Sequence, residues 1–482
     1  LSHPRKIALN TSQLSLCRVG GLIVQSIAFV IIARCLGKNG LGQYSVVFAY
    51  LSFFQIITGL SIDSLVIKEL SNSDQHPAIL GNAIILKILG GVVAVALSVL
   101  VLQFCGYDPE VKKYIYVASL SLLFGFSSIF SSLFQHHMKT LYYSLPEVVV
   151  ALFSSVAMVI SAVMGAPVLL LVIINSFSVV LMTVIYWILC VNKLHMRPIF
   201  VLDPVLSKKI LLNAWPILFA AFFVAVNTRI DQVMLYRLRG DAEVGAYSAA
   251  VKLTEFLSFT PLAFSTVIFP FMCESYNSSL EKFVFVYRRS FKYMAILIVP
   301  VAFGTSILAE PIMNLVYGNK FYGSAATLAV LVWSQIFVFL GCINGNILII
   351  MNLQKIMLYL TLTGAIANVL VNLWLIPLYS GLGAAIATVV SYGFVGGVFQ
   401  MVLRDTRPIM LDYLGATIKP IIASIIMGIV IYNLLTLHFL IVIAIGMITY
   451  AAALIMIKGI DSVDLDYARQ ILNRRRDVIV IE

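Results

Sequence analysis

Long apolar runs, each about one bilayer crossing in length, alternate along the chain with short polar segments rich in turn-forming residues. A crossing helix needs about 20 mostly apolar residues, and fourteen runs reach that length, from 13–36 at the start to 438–457 at the end. The segments Gly37 to Gly40, Tyr107 to Glu110, Gly165 to Pro167, Tyr317 to Lys320 and Pro377 to Gly381 between them carry turn chemistry. The pattern predicts an all-α polytopic membrane protein with about fourteen transmembrane helices. The first run has full spanning length and lacks a small-residue cleavage site after a short core, so it is read as a span and not as a cleavable leader.

Composition agrees with this reading. Hydrophobic residues make up 61% of the 482 and charged residues 11%, far below the roughly 25% charged residues of a soluble domain. The formal charge of +11 does not point to nucleic acid, because the basic residues lie between and within apolar runs and form no solvated patch. The bias of Lys and Arg among the connecting segments places both termini in the cytoplasm of a multi-pass cell-membrane protein. Seven bases remain inside the runs: Arg18, Arg34, Lys87, Arg229, Lys252, Lys292 and Lys419. The acids inside are chiefly Asp63, Asp231 and Glu255, with Glu147 and Glu310 near run ends, which leaves a positive excess in the membrane interior.

An internal repeat organises these charges. Arg34, Gly37, Gly42, Tyr44 and Ser45 recur at a constant offset of 203 as Arg237, Gly240, Gly245, Tyr247 and Ser248. The first copy joins runs one and two and the second joins runs seven and eight, so the halves run in the same direction, as in transporters built from parallel repeats with the substrate site between them. The expected organisation is a six-helix lobe over 1–191, a cytoplasmic linker over 192–208, a second six-helix lobe over 209–403, an extra helix pair over 404–457 and a basic tail over 458–482. The two copies of the turn are expected to face each other.

The stretch from Asn227 to Phe256 holds the densest set of intramembrane charges. An Arg, Lys or Asp at mid-bilayer depth costs roughly 2.5 to 3.5 kcal/mol on insertion scales, so several of them call for partners, water or a function. Lys292 and Lys419 can snorkel to headgroups, whereas Arg18, Lys87, Arg229 and Lys252 lie deeper and are expected to face a hydrated cavity, where they would select anionic cargo. Lys252 and Glu255 share a helical face. Arg229 and Asp231, two apart, do not. Asp231, Glu255 and Asp63 are the candidates for holding a coupling proton or sodium ion, and counter-ion roles for Asp231 and Glu255 are the plainer alternative. No phosphate-binding loop, zinc-protease motif or calcium loop is present, and neither the six cysteines nor the histidines fall at ligand spacing. The chain is therefore expected to be a transporter, channel or scramblase and no enzyme, with no cofactor, no resident metal and no nucleic-acid partner.

Three stretches carry a family likeness. Arg229-Ile230-Asp231 through Arg239-Gly240-Asp241 to Val244–Ala250 resembles the middle signature of polysaccharide (Wzx-like) flippases, members of the multidrug/oligosaccharidyl-lipid/polysaccharide (MOP) exporter superfamily. Arg34 to Tyr44 is similar to the family's turn after its first helix, and Asn368, Asn372, Leu375-Ile376-Pro377, Gly381, Gly383-Ala384-Ala385 and Thr388 are similar to its signature across helices 11 and 12. The resemblance implies a V-shaped pair of six-helix bundles that moves a polyprenyl-pyrophosphate-linked oligosaccharide to the outer leaflet by alternating access. It also implies a cationic cavity lined by helices 1, 2, 7 and 8, and membrane lipids and polysaccharide polymerase or export machinery as partners. On that reading Arg18, Arg34, Lys87, Arg229 and Lys252 hold the pyrophosphate, and Tyr44 and Tyr247 contact sugar or close the outer gate. A cation-coupled multidrug exporter of the same superfamily is the alternative, although such a cavity would want more acids.

Overall fold

Capping chemistry in the sequence marks several of the places where helices begin. The Asp203 carboxylate accepts hydrogen bonds from the backbone of Val205 at 2.8 Å and Leu206 at 3.2 Å, and Pro204 occupies the first helical position, where no amide donor is needed. Ser279 caps the helix Leu280–Ile307 in the same way, accepting from Lys282 N. The computed structural model describes residues 3–72, 76–137, 139, 141–402, 407–461 and 464, without the side chains of 3–19 and 398–400. Among the described residues the chain is helical and contains no strand.

The helices used below are α1 (His3–Gly59), α2 (Asp63–Asn72), α3 (His76–Phe104), α4 (Pro109–Ser119), α5 (Ser127–His136), α6 (Leu141–Val163), α7 (Val168–Lys193), α8 (Pro204–Arg239), α9 (Asp241–Leu257), α10 (Phe259–Ser278), α11 (Leu280–Ile307), α12 (Ala309–Tyr317), α13 (Ala325–Leu331), α14 (Ser334–Ile350), α15 (Gln354–Gly393), α16 (Phe399–Val402), α17 (Arg407–Asn433) and α18 (Phe439–Met456).

Twelve helical segments among the described residues are long and apolar enough to cross a membrane, where the sequence led us to expect about fourteen. Two of the twelve, Gly20–Asn72 and Gln354–Gly397, run to 53 and 44 residues. Within them α1 and α15 each contain one non-helical residue, Gly37 (φ 67°) and Ser380 (φ 53°) respectively, so helical segments follow each other there with no intervening loop, and the first breaks again at Leu60 (φ 50°) and Ser61 (φ 51°) ahead of α2. The side chains fit a hydrocarbon solvent. α3 buries Leu80, Ala83, Ile84 and Ala94 yet leaves Leu89, Val92, Val93 and Leu100 exposed, as a helix that is apolar all round does in a bilayer. The chain is a multi-pass membrane protein.

The chain forms two compact units that interleave along the sequence. One comprises Leu1–Phe259, Met313–Leu331 and Gln354–Val395, and the other Thr260–Ile312, Val332–Leu353 and Gly396–Glu482. In the first unit α1 packs on α3, α6, α8 and α9, and α8 packs on α15. One of its cores gathers Ile62, Val66, Leu70, Leu80, Ile84, Phe130, Phe134, Tyr186 and Ile210 from α3, α5, α7, α8 and the segment around α2. Close approach depends on small residues: a Cβ at Gly81 would strike the backbone carbonyl of Ile199, whose amide in turn donates to Pro77 O at 2.9 Å. The linker ahead of α8 is thereby laid against the start of α3.

In the second unit α11 packs on α14 and α17, and α17 on α18. Leu308, Ala423, Met427, Ile431, Val442, Tyr450, Ala453 and Leu454 form a core there. The membrane-embedded Lys292 does not stand alone: with Arg289 it pairs to Asp461 and Asp464 just beyond α18. Hydrogen bonding to Arg289 holds the Asp461 carboxyl well below the usual carboxylate range. Lys419 donates to Lys458 O at 2.8 Å.

Candidate functional site

The repeated turn is the pivot of the first unit. Gly37 (φ 67°, ψ −171°) and Gly240 (φ 84°, ψ −177°) adopt the same backbone conformation, one open almost only to glycine, at equivalent positions of the two copies. The copies also grip each other reciprocally. A Cβ at Gly42 would collide with the carbonyl of Asp241, and a Cβ at Gly245 with the carbonyl of Lys38. Since 38 and 241 are themselves equivalent at the offset of 203, the contact has the form of a two-fold: position i meets j′ and j meets i′. Gln43 Nε2 adds a hydrogen bond to the Asp241 carboxylate at 2.9 Å.

Beside this contact lies a cavity of about 800 Å³ within the first unit, lined by α1 on both sides of Gly37, by α6, α7, α8 and α9, and by residues 121–127. Its wall is rich in hydroxyls and amides, among them Gln25, Ser52, Gln55, Thr58, Ser121, Ser154, Asn175, Gln232 and Ser248. It carries four charged side chains: Arg229, Lys252, Glu255 and Glu147. Arg229 Nη1 lies 3.0 Å from Glu255 Oε1, and Lys252 Nζ lies 3.5 Å from Glu255 Oε2. The Lys252 ammonium also sits over the Phe29 ring at 5.5 Å, where the ring's negative face attracts it. The Tyr186 hydroxyl donates to Glu147 at 3.4 Å. Among the described residues, therefore, two bases face two acids. Among these described residues the positive excess expected of the cavity does not appear, because Glu147, read from the sequence as a run-end residue, reaches the interior while Lys87 and Arg34 lie outside the lining.

Asp231 belongs to a separate, buried constellation. It accepts from Tyr247 OH at 2.7 Å, Thr388 Oγ1 at 2.8 Å and Asn372 Nδ2 at 2.5 Å. Asn372 Nδ2 is also 2.9 Å from Asn368 Oδ1, and Asn368 Nδ2 donates to Ser391 at 3.2 Å. Asn372 Oδ1 is buried without a hydrogen-bond partner. The two stretches around Asp231 and across Asn368 to Thr388 thus converge on one carboxylate. They do so because α15 folds back on itself at Ser380, where a Cβ on Gly383 would meet the Leu375 carbonyl.

The remaining expected site residues are dispersed. Tyr44 lines the cavity and accepts from Asn175 Nδ2 at 2.6 Å, whereas its repeat partner Tyr247 is turned to Asp231. Lys87 lies away from the cavity lining, wholly buried, with its ammonium 2.7 Å from Asp63 and 2.5 Å from Ser128 Oγ. Lys87 and Asp63, expected in different roles, are each other's partner. Arg34 donates to the carbonyls of Leu315 at 2.5 Å and Val316 at 2.7 Å, satisfying the end of α12. The side chain of Arg18 lies outside the described residues. Glu147, Asn175 and the hydroxyls of 121–127 were missed as site residues, since single polar residues in apolar runs carry no signal until packing turns them inward.

Residues 7–276 match the family model described as polysaccharide biosynthesis protein, and residues 216–374 match the MatE model. A probable lipid II flippase MurJ of Rickettsia prowazekii (strain Madrid E) is 29% identical over 144 residues, which is 28% of this chain and 27% of that relative's length. Among solved structures, the lipid II flippase MurJ in an inward closed conformation superposes with a TM-score of 0.77 at 17% identity, over 92% of this chain and 98% of its own. An inward-facing multidrug resistance MATE family transporter of the MOP superfamily gives 0.66 at 14% identity, over 82% of this chain and 96% of its own. At such identities the likeness shows a shared fold. The matching model spans more than half of the 482 residues, and the chain belongs to the polysaccharide biosynthesis protein family of the MOP superfamily of membrane transporters.

Proposed function

We propose that the protein is a flippase that carries a polyprenyl-pyrophosphate-linked oligosaccharide from the cytoplasmic to the outer leaflet by alternating access, for polysaccharide biosynthesis. The observation that carries this reading is the cluster in which Arg229 and Lys252 share the single carboxylate of Glu255 in a hydroxyl-lined cavity of about 800 Å³. A pyrophosphate can displace Glu255 from both bases. Arg229 offers it a planar fork matched to two phosphate oxygens and Lys252 a point charge, while the serines and amides of the wall suit sugar hydroxyls. Family membership and the similarity of 144 residues to a probable lipid II flippase support the lipid-linked cargo. The sequence halves 1–191 and 209–403, joined by the linker 192–208, would be the parts that move. Asp231, with Asn372 Oδ1 beside it as a spare acceptor, would hold the proton or sodium ion of a driving gradient.

The test is reconstitution in liposomes with a fluorescent polyprenyl-pyrophosphate glycan, scoring its exposure to an external quencher over time. Arg229→Ala combined with Lys252→Ala should slow flipping at least tenfold, the loss expected when charge-assisted contacts of about 1.5 kcal/mol or more vanish. Unchanged flipping by the double variant removes the proposal. A cation-coupled exporter of drugs is the second reading, favoured by the MatE match and by the two acids in the cavity. Broad drug resistance conferred on an exporter-deficient host would select it.

A further inference from the structure

Away from the cavity, three of the six histidines converge on one point of the first unit. His76 is the first residue of α3, His136 the last of α5, and His137 follows it. One ring nitrogen from each lies within 4.8 Å of the others. The rings stand edge to face, with centroids 5.2 Å apart for His76 and His136, 5.8 Å for His76 and His137, and 5.1 Å for His136 and His137. His76 is remote from the other two in sequence, so no ligand spacing announces the group.

The polar accounting around these rings is incomplete. His136 Nδ1 is engaged by Ser71 Oγ at 3.3 Å. His137 Nε2 is buried and has no hydrogen-bond partner. A buried ring nitrogen left unpaired costs about 1–3 kcal/mol, and among the described residues the group found at this distance contains only histidines. A cation is the ligand that three neutral imidazole lone pairs have in common.

Donor chemistry narrows which cation. The ligands the described residues offer are three imidazoles, which suit Zn²⁺ and its neighbours Cu²⁺ and Ni²⁺, whereas Mg²⁺ and Ca²⁺ take oxygen. Zn²⁺ takes nitrogen at about 2.0–2.1 Å in a tetrahedron, which sets ligand nitrogens about 3.3 Å apart, so nitrogens up to 4.8 Å apart would have to draw in by up to about 1.5 Å, a movement within the reach of side-chain rotation. The carriers are otherwise held still. Ile79, Leu80 and Ala83 of α3 and Ile129, Phe130, Leu133 and Phe134 of α5 belong to one buried core, and the His137 amide donates to Leu133 O at 3.1 Å.

We propose that His76, His136 and His137 form a Zn²⁺-type site, with three imidazole ligands and a fourth position open to water, that clamps the start of α3 to the end of α5. The Ser71 hydroxyl orients His136, in the way that partners of ligating histidines fix ring and tautomer. The clamp acts on a helix whose other end matters to the cavity: Ser127, the first residue of α5, is in the cavity wall, and Ser128 holds the Lys87 ammonium.

The experiment uses the full chain, purified without a polyhistidine tag and stripped with a chelator. ZnCl₂ is titrated against a chromogenic chelator, and the thermal midpoint is followed in the same detergent. Expected are one Zn²⁺ per chain, no displacement by excess Mg²⁺, and a raised midpoint. His76→Gln, His136→Gln and His137→Gln should each weaken binding by about tenfold or more, whereas His195→Gln and His438→Gln should not. Co²⁺ provides a check that needs no variant, because the unsubstituted chain should develop the visible absorption of a tetrahedral nitrogen-ligated ion. Absence of stoichiometric Zn²⁺ binding, absence of that Co²⁺ spectrum, or undiminished binding by a folded triple variant would each overturn the site.

Discussion

Replacing Glu255 by Gln should tighten the grip of the cavity on a pyrophosphate, even though it removes the partner of two bases. In the unliganded protein Glu255 is the counter-ion of Arg229 at 3.0 Å and of Lys252 at 3.5 Å. The amide keeps the shape and removes one negative charge from the place the cargo must take. The side chains of Arg229 and Glu255 are 36% and 37% exposed, so the ion pairs are partly hydrated and each contributes about 0–1 kcal/mol to folding. The same exposure sets the dielectric for the opposing effect. Two unit charges about 5 Å apart repel by ~0.8 kcal/mol at a dielectric constant of about 80 and by ~3 kcal/mol at about 20. With the groups more than a third exposed we take the wetter end, ~1 kcal/mol, or about fivefold in affinity. The assay is isothermal titration with a short-chain polyprenyl pyrophosphate in detergent, repeated at higher salt, where the gain should shrink. Arg229→Ala in the same assay should move affinity the other way. A folded Glu255→Gln protein with unchanged or weaker binding would refute the exchange of carboxylate for pyrophosphate.

Three further outcomes follow from the geometry. Lys87 is wholly buried while its partner Asp63 is 40% exposed, so Asp63→Asn, which strands a buried ammonium, should cost about 3 kcal/mol, and Lys87→Met, which leaves a carboxylate that water can reach, about 1 kcal/mol. Thermal midpoints in the reverse order would contradict this, and flipping should survive Lys87→Met. Gly245→Ala places a methyl group against the Lys38 carbonyl and should destabilise the protein by about 1–3 kcal/mol, read as a lowered midpoint; an unshifted midpoint would mean that the copies are not in close contact. Asp231→Asn keeps the shape of the buried network but not its charge, so flipping by this variant should be indifferent to ionophores that slow the unsubstituted protein, and equal ionophore sensitivity would remove Asp231 from the coupling role.

What could be read from the sequence was what depends on local chemistry. Gly37 and Gly240 announced the turns because the backbone there needs φ near 67° and 84°, and the offset of 203 announced their kinship. Lys252 and Glu255 announced their pairing by helical spacing. The partners that packing supplies were illegible. Nothing near Lys87 in sequence says that Asp63 of α2 will meet it, and nothing says that Glu147 will face the same cavity as Arg229. Twelve helical segments stand where fourteen runs were read for a related reason: Gly37 and Ser380 let one helix follow another without a loop, so runs that polar punctuation separates are joined in the backbone. His76 and His136 illustrate the limit most plainly, since a three-residue group assembled from two helix ends has no spacing to find.

The symmetry of the scaffold and the asymmetry of its chemistry depend on each other. Gly42 on Asp241 and Gly245 on Lys38 hold the two turns in a reciprocal contact that neither can make with a side chain in the way. The residues that carry charge in the second copy, however, have small counterparts in the first. At the offset of 203, Arg229 corresponds to Ser26, Asp231 to Ala28, Lys252 to Ala49 and Glu255 to Ser52. Ala28, Ala49 and Ser52 are themselves in the cavity wall, opposite a cluster that includes Arg229, Lys252 and Glu255. Had both copies carried the charged set, four bases and two glutamates would compete for one cavity and each buried carboxylate would need its own ring of donors, at a desolvation cost of several kcal/mol per ion. Small residues in one copy leave volume in the cavity beside the side chains of the other. The turn at Gly240 thus stands beside the charged half of the pair, and the turn at Gly37 beside the small residues that leave room for it.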